Sequence, residues 1–372
     1  MYFKIENKFL YNNLLVASKA ISSAAPHPAL SGIKISAFDN YLELTASDSN
    51  ISIKQNINKT ENNNLEIIEK GGVVIDAKYL LEIIKKINGD IIEFETIDGG
   101  YTQISSGKTI FKINGLKDSE YPLIDFNINN NFFEINPEYL IDIVNKTSFA
   151  ISESGTKPAL TGVNLKNINN TLIATATDSY RLATKKIEID LNQNFNITIP
   201  AKPLRDIYQI ILEEDSIKLA IDSKKMQVKT ENTLIQTRLI DDAYPDTSKL
   251  ITDNFNIKAT INTKELAAAI DRTLFIRQEG KNIVKLNINA GEINIYSSNQ
   301  EIGSYDEKIN LINHEGENIE ISCSGKYLLD ALKSFEESEI TLFINGPLKP
   351  IIIKNNNDDK LIQLVSPIRP YN

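Results

Sequence analysis

Cysteine is nearly absent: 372 residues contain one, Cys323. A single thiol excludes an intramolecular disulfide and any cysteine-built zinc cluster. Histidine is almost as scarce. Only His27 and His314 can supply imidazole, so histidine-dependent chemistry is a poor expectation, and no metal or cofactor is expected. No uninterrupted apolar run approaches the roughly 18 to 20 residues that cross a bilayer. The N-terminus, MYFKIENKFLYNN, lacks the basic, apolar and small-residue order of a signal peptide. A cytoplasmic protein without a membrane partner is expected. Basic residues are in the minority, 40 Lys and Arg against 49 Asp and Glu, for a net charge of −9. That balance argues against a uniformly basic surface but leaves open where the lysines sit.

What the chain does have is length, apolar periodicity and repetition. Its length suits two or three domains. HPALSGIKISAFDNYLELTASDS, from His27, aligns without a gap on KPALTGVNLKNINNTLIATATDS, from Lys157, at a constant offset of 130. DAKYLLEIIKKI, from Asp76, matches SGKYLLDALKSF, from Ser324, and more loosely PAKPLRDIYQII, from Pro200, placing Lys78, Lys202 and Lys326 at equal steps of 124. FKIENKFL, FEINPEYL and TINTKEL form a third set. Internal matches of this kind imply tandem units. LKDSEYPLI and LIDDAYPDTSKLI each close one with an acidic turn and Tyr-Pro, giving expected domains 1–124, 125–252 and 253–372. Within each, helix-period segments alternate with strand-like ones, so two helices and about eight strands per unit are expected, an α+β arrangement of antiparallel sheets backed by paired helices.

Charge is unevenly placed. The expected helices, 7–22, 76–88, 137–150, 201–212, 263–277 and 325–335, carry a net +5, leaving −14 for the rest. A common basic face on these helices would attract phosphate without reading sequence. Solvated helix faces also carry lysine for no functional reason.

Three motifs suggest chemistry and then lose it. SSGKT, at 105–109, has the end of a phosphate-binding loop, but Thr102 stands where that loop requires glycine, and the segment lies between two strands. A hairpin turn is the better reading. Asp241, Asp242 and Asp246 surround a proline at a boundary and read as turn and cap residues rather than ligands of a hard cation. Asp48 and Asp178 occupy matching places in two copies, which suggests a shared Asx-turn rather than acid–base work. No nucleophile pairs with a base, so no catalytic residue is assigned.

Three tandem α+β units, basic helices, the ATDSYRLA segment and a Pro-Ile-Arg near the C-terminus together resemble the bacterial DNA sliding clamp family, over the whole chain. The resemblance implies a DNA clamp fold and a non-enzymatic processivity factor. Two subunits join head to tail in a ring around duplex DNA, with helices lining the hole. It implies as partners double-stranded DNA, a second copy of the chain, a clamp loader complex, the replicative polymerase and other polymerases and repair proteins. These last bind through short peptides bearing a glutamine and large apolar residues. By position, the peptide pocket would comprise Leu160, Thr177, Ser179, Tyr180, Arg181, Leu182, Pro245, Leu250, Tyr327, Leu348, Pro367, Ile368 and Arg369. DNA would meet Lys202 first, with Lys8, Lys19, Lys85, Lys86, Arg205, Arg272 and Lys333. The dimer interface would use Phe111, Ile113, Leu274, Phe275 and Lys78. Tyr180 stands where histidine is common in the family, Ser366 where a larger apolar residue is, and Ala24 where an arginine near DNA is; Pro370, Tyr371 and Asn372 extend past Arg369. The competing readings are a nucleotide-dependent enzyme acting on nucleic acid, from SSGKT and the aspartates, and a plain repeat scaffold.

Overall fold

The structure, a computed structural model, describes every residue except 23–26, 192, 252–253, 278–279, 356–357 and 370–372. Among those residues are six α-helices: α1 (Asn7–Ser18), α2 (Ala77–Lys86), α3 (Pro137–Thr147), α4 (Ala201–Ile211), α5 (Thr263–Asp271) and α6 (Gly325–Lys333). Each follows a strand with at most one residue between, and the turn-in residue usually caps the helix. Asp76 accepts from the amides of Lys78 and Tyr79, Asn262 from Glu265 and Ser324 from Tyr327. Such caps satisfy amides that have no partner inside the helix. In α2 the apolar spacing buries Ala77, Leu80 and Ile84 on one face and leaves Lys85 and Lys86 in the last turn, where cations suit the helix dipole.

The segment expected to be helical over 263–277 stops at Asp271. Buried Asn282 takes the carbonyls of Thr273 and Ile276 with its side-chain amide, at 2.7 and 2.8 Å, which ends the helical bonding while Ile276 stays packed. The helix expected over 7–22 likewise ends early, at Ser18, whose hydroxyl bonds the Leu15 carbonyl.

The chain divides into two compact units: residues 1–138 with 202–239, and 139–201 with 240–372. The first holds a nine-stranded antiparallel sheet, in the order Leu116–Lys117, Gly71–Asp76, Gly32–Ala37, Tyr41–Ser47, Ile51–Asn58, Thr233–Arg238, Lys225–Lys229, Ile217–Ile221 and Phe133–Ile135. A five-stranded sheet, in which Tyr2–Glu6 pairs with Ile91–Asp98, ends at the free edge Thr109–Asn114. The second unit's nine-stranded sheet runs Phe195–Pro200, Gly162–Ile168, Thr171–Thr177, Arg181–Glu188, Asp358–Val365, Ile351–Asn355, Glu339–Ile344, Ile257–Asn262 and Asn313–Glu315. Its four-stranded sheet starts at the edge strand Gly303–Asn310.

Alternation explains the core. Strands such as Ile283–Asn289 bury every second residue and turn the others outward, the pattern of a sheet with one packed face. In the first unit Phe3 and Phe94 stack 4.9 Å apart. In the second, Leu266, Ile270, Leu328 and Leu332 from α5 and α6 join Leu286, Ile295 and Leu342 in one cluster. SSGKT forms the turn between Tyr101–Ser106 and Thr109–Asn114, with Gly107 at φ +57°, a left-handed conformation suited to glycine.

Candidate functional site

Thr171–Thr177 and Arg181–Glu188 form a hairpin closed by Asp178, whose Oδ1 accepts from the amides of Tyr180 and Arg181 at 2.8 and 2.9 Å. These two bonds hold Ser179 at φ +78°, where a residue with a Cβ is strained. Tyr180 is thereby presented outward, 65% exposed. Its carbonyl accepts from the amide of Ser366 at 2.8 Å, so the turn fixes the start of the C-terminal segment. That segment continues with a bridge between Pro367 and Cys323 and a bond from the Ile368 amide to the Ser322 carbonyl at 2.7 Å.

Arg181 is 8% exposed. Its Nε donates to Asp178 Oδ2 at 3.0 Å and its Nη1 to Asp330 Oδ2 at 2.6 Å. The guanidinium lies 4.3 Å from the Tyr327 ring centroid and 5.7 Å from that of Phe149. Two carboxylates and a stacking ring meet the conditions under which a buried cation is tolerated. Burial, and then Asp178, raises the Tyr327 phenol above its ordinary pKa.

Cross-strand register builds the rest. Thr177 faces Leu182, and Leu182 faces Leu364. Leu182 is only 1% exposed and packs with Phe343, Ile352, Ile362 and Leu364, so it is part of the floor beneath the surface rather than an exposed wall. Leu160 is also buried, in the turn Pro158–Thr161, while Pro245, Leu250 and Leu348 are exposed. Tyr244, before Pro245, has its hydroxyl buried near the Thr177 backbone without a hydrogen-bond partner among the described residues, and burial raises its pKa strongly.

The geometry thus assembles Thr177, Ser179, Tyr180, Arg181, Leu182, Tyr327, Pro367 and Ile368 through bonds, stacking or adjacent strands. Arg369 is exposed just beyond. Asp330 and Phe149, which anchor Arg181, escaped the sequence reading. Asp330 had a signal, since it sits three residues after Tyr327 on α6 and shares its face. Phe149 had none.

The basic residues divide sharply. Lys8, Lys85 and Arg205 are exposed with no carboxylate partner among the described residues. Lys86 pairs with Glu82 at 2.7 Å and Lys333 lies 3.9 Å from Asp271. Lys202 donates to Asp206 at 2.9 Å and to the Lys19 carbonyl at 3.3 Å, and lies 3.9 Å from Asp48. Lys19 bonds the side chain of Gln209. Arg272 is committed to Glu307, with bonds of 2.7 and 3.0 Å.

At the edge strand Thr109–Asn114, Phe111 and Ile113 are half-buried and line an open groove with Tyr79, Ile83 and Lys86. Lys78 is exposed nearby on α2. In the second unit Leu274 packs on the core and Phe275 is exposed.

Among the described residues no group of three or more His, Cys, Asp and Glu side chains gathers as a metal site would require. Asp246 Oδ1 accepts from the Ser248 amide and Asp242 from that of Ala159, both turn-stabilising bonds. No helix among the described residues is long and apolar enough to cross a membrane. Ala24 and Pro370, Tyr371 and Asn372 lie outside the described residues.

Known proteins match this arrangement along its whole length. Family models described as DNA polymerase III beta subunit N-terminal, central and C-terminal domains match residues 1–125, 134–246 and 248–369. The chain is 37% identical over 376 residues to a beta sliding clamp of Staphylococcus epidermidis and 36% to one of Staphylococcus aureus, covering all of each. A DNA polymerase sliding clamp structure from Bacillus subtilis superposes with a TM-score of 0.95 at 37% identity, with both chains covered in full. That of a DNA polymerase III beta chain from Streptococcus pneumoniae also gives 0.95, at 28% identity, covering 99% of this chain. With three family models in register and full-length relatives above a third identical, the chain belongs to the bacterial DNA polymerase III beta subunit family, the beta sliding clamps.

Proposed function

We propose that the chain is a DNA polymerase processivity factor that works as a head-to-tail homodimeric ring, built from three clamp domains per chain at 1–124, 125–252 and 253–372. It breaks no bond; it holds the polymerase to its template by encircling the duplex. The observation that carries the ring is one of strand order. In the first unit Ile51–Asn58 continues into Thr233–Arg238, and in the second Arg181–Glu188 continues into Asp358–Val365. The strands in corresponding places that have no second partner among the described residues are Gly303–Asn310 and Thr109–Asn114. Free edges invite pairing, and a second copy supplies each with the other's complement. Phe111 and Ile113 would then meet Leu274 and Phe275, with Lys78 at the rim.

Sliding requires contacts that are equivalent at every step, which phosphates provide. Lys8, Lys85 and Arg205 are free to serve. Lys19, Lys86, Lys202 and Lys333 would exchange present partners for phosphate, and Arg272 would first have to leave Glu307. The surface around Tyr180, Arg181, Tyr327 and Pro367 would receive short peptides from the polymerase, the clamp loader and repair proteins, with an apolar floor and a polar rim.

The test loads the protein onto nicked circular DNA. Retention on circles, followed by rapid loss when the circle is cut, is the expected outcome; equal dissociation from both would defeat the ring. A nucleotide-dependent enzyme would instead hydrolyse ATP alone and lose that activity on Lys108→Ala.

A further inference from the structure

Beside the Leu182 floor of the proposed peptide surface, on the face of the second unit's large sheet that Leu182 occupies, lies a cavity of about 520 Å³. Register shows how the two adjoin. One rung of side chains is Thr177, Leu182 and Leu364; two residues along each strand the next is Thr175, Thr184 and Ile362; the one after brings Ile173 opposite Lys186. Alternate residues share a face, and each such step is about 6.6 Å. Lys166 faces Ile173 from the other side, and Asn196 faces Lys166. The apolar floor therefore passes, within one sheet face, into a hydroxyl-lined and then a cationic strip. Tyr244, Pro245 and Ile251 roof the cavity, and Ile251 also packs on the cluster around Leu182.

Two features of the cavity point to a ligand. Thr184 is 6% exposed, and its Oγ1 has no hydrogen-bond partner in the described structure. A buried hydroxyl left without a partner is costly. Lys166 and Lys186 are half-buried, and neither pairs with a carboxylate among the described residues, whereas neighbouring Lys185 and Lys360 do. The two carboxylates of the lining are occupied: Asp359 by Lys354 at 2.5 Å, and Asp246 by Ser248 at 3.0 Å, with Lys166 and Lys249 as lesser charges on it.

We infer that this cavity is a subsite for a carboxylate side chain of the same peptide that occupies the neighbouring apolar floor, with Lys166 and Lys186 as its cations and Thr184 as a hydroxyl donor. The inference rests on the peptide-docking reading and extends it: partners would be ranked by an aspartate or glutamate flanking their apolar residues.

The experiment titrates the full-length protein with fluorescent peptides. One is a neutral core bearing a glutamine and two large apolar residues. Others extend that core with glutamates, or with glutamines, on one side or the other. One glutamate-extended peptide should bind about tenfold tighter than its glutamine counterpart, the size expected of a charge-assisted pair in a half-buried site. Lys166→Gln with Lys186→Gln should abolish that gain, and Thr184→Val should reduce it, while all variants bind the neutral core as the wild type does. The inference is overturned if no glutamate extension gains, if the gain survives the double substitution, or if Lys264→Gln, on the exposed face of α5, removes it equally. Failure of the neutral core to bind, or indifference of its binding to Leu182→Ala, overturns the docking reading and takes the subsite with it. Normal core binding without a glutamate effect overturns the subsite alone.

Discussion

Two hairpins in this chain share a frame and differ in what they do with it. Asp48 holds Ser49 at φ +77° by accepting from the amides of Asn50 and Ile51, both at 2.9 Å, much as Asp178 holds Ser179. Tyr121 places its hydroxyl at the Ser47 backbone, as Tyr244 does at Thr177, and burial raises both phenols. The rung beside the turn then diverges. In the first unit it is Ser47, Ser52 and Gln236; in the second it is Thr177, Leu182 and Leu364. The polar rung closes on itself: the two serine hydroxyls lie 2.7 Å apart, and Gln236 donates to the Asp125 carbonyl at 2.9 Å, drawing the chain after Tyr121-Pro122 down onto the sheet. Gln227 adds a bond to the Phe126 carbonyl, and Lys54, the counterpart of Thr184, lies 4.7 Å from the Phe126 ring. Where Leu182 and Leu364 replace Ser52 and Gln236, the exit chain meets the rung through the apolar side chains of Ile251 and Phe255, and an apolar floor with a cavity beside it results. One rung decides whether the same hairpin is sealed or available.

Breaking the apolar rung should have the largest effect. Leu182→Ala removes a fully buried side chain and should cost about 3 kcal/mol in urea unfolding, besides weakening peptide binding without changing dimer mass. Ser52→Ala, at the matching place, should cost only about 1 kcal/mol. Asp178→Asn keeps the Asx-turn acceptor but halves the charge opposing buried Arg181; a loss of about 2 kcal/mol is expected. Asp48→Asn, whose nearest cation is 3.9 Å away, should lose under about 0.5 kcal/mol. Equal losses would show that the two turns are energetically alike. Gln236→Ala should cost about 1 kcal/mol and loosen the sealed junction, read as faster amide exchange at residues 125–127.

A smaller, chemical readout reports on the C-terminal segment. Burial pushes the Cys323 thiol up to about 12. At pH 8 the thiolate is then about one part in ten thousand, so alkylation of the folded chain should be negligible and should become rapid on unfolding. Deleting Ile368 onward removes the amide that bonds the Ser322 carbonyl and should raise the folded-state rate; an unchanged rate would mean that this segment does not cover the thiol.

Much of this was legible in the residues. Helix starts followed from apolar spacing and the internal repeats, and Asp48 and Asp178 declared their turns by recurring at one offset. The helix ends did not, because Asn282, which stops α5, acts from eleven residues further on. Nor did the sheet partners of Ile51–Asn58 and Arg181–Glu188, which lie over 170 residues away and leave no periodic trace. The proposed peptide surface came from resemblance alone; Arg181's anchorage and the depth of Leu182 required side-chain packing to be seen.

The long reach of those pairings bears on biogenesis. A strand at residues 51–58 waits for one at 233–238, and a strand at 181–188 for one at 358–365. During synthesis the first large sheet is closed only after residue 238 has left the ribosome, and the second only after residue 365. Until then Leu182 and its neighbours stand on a strand paired on one side only, with Thr171–Thr177, the kind of nascent edge that chaperones shield.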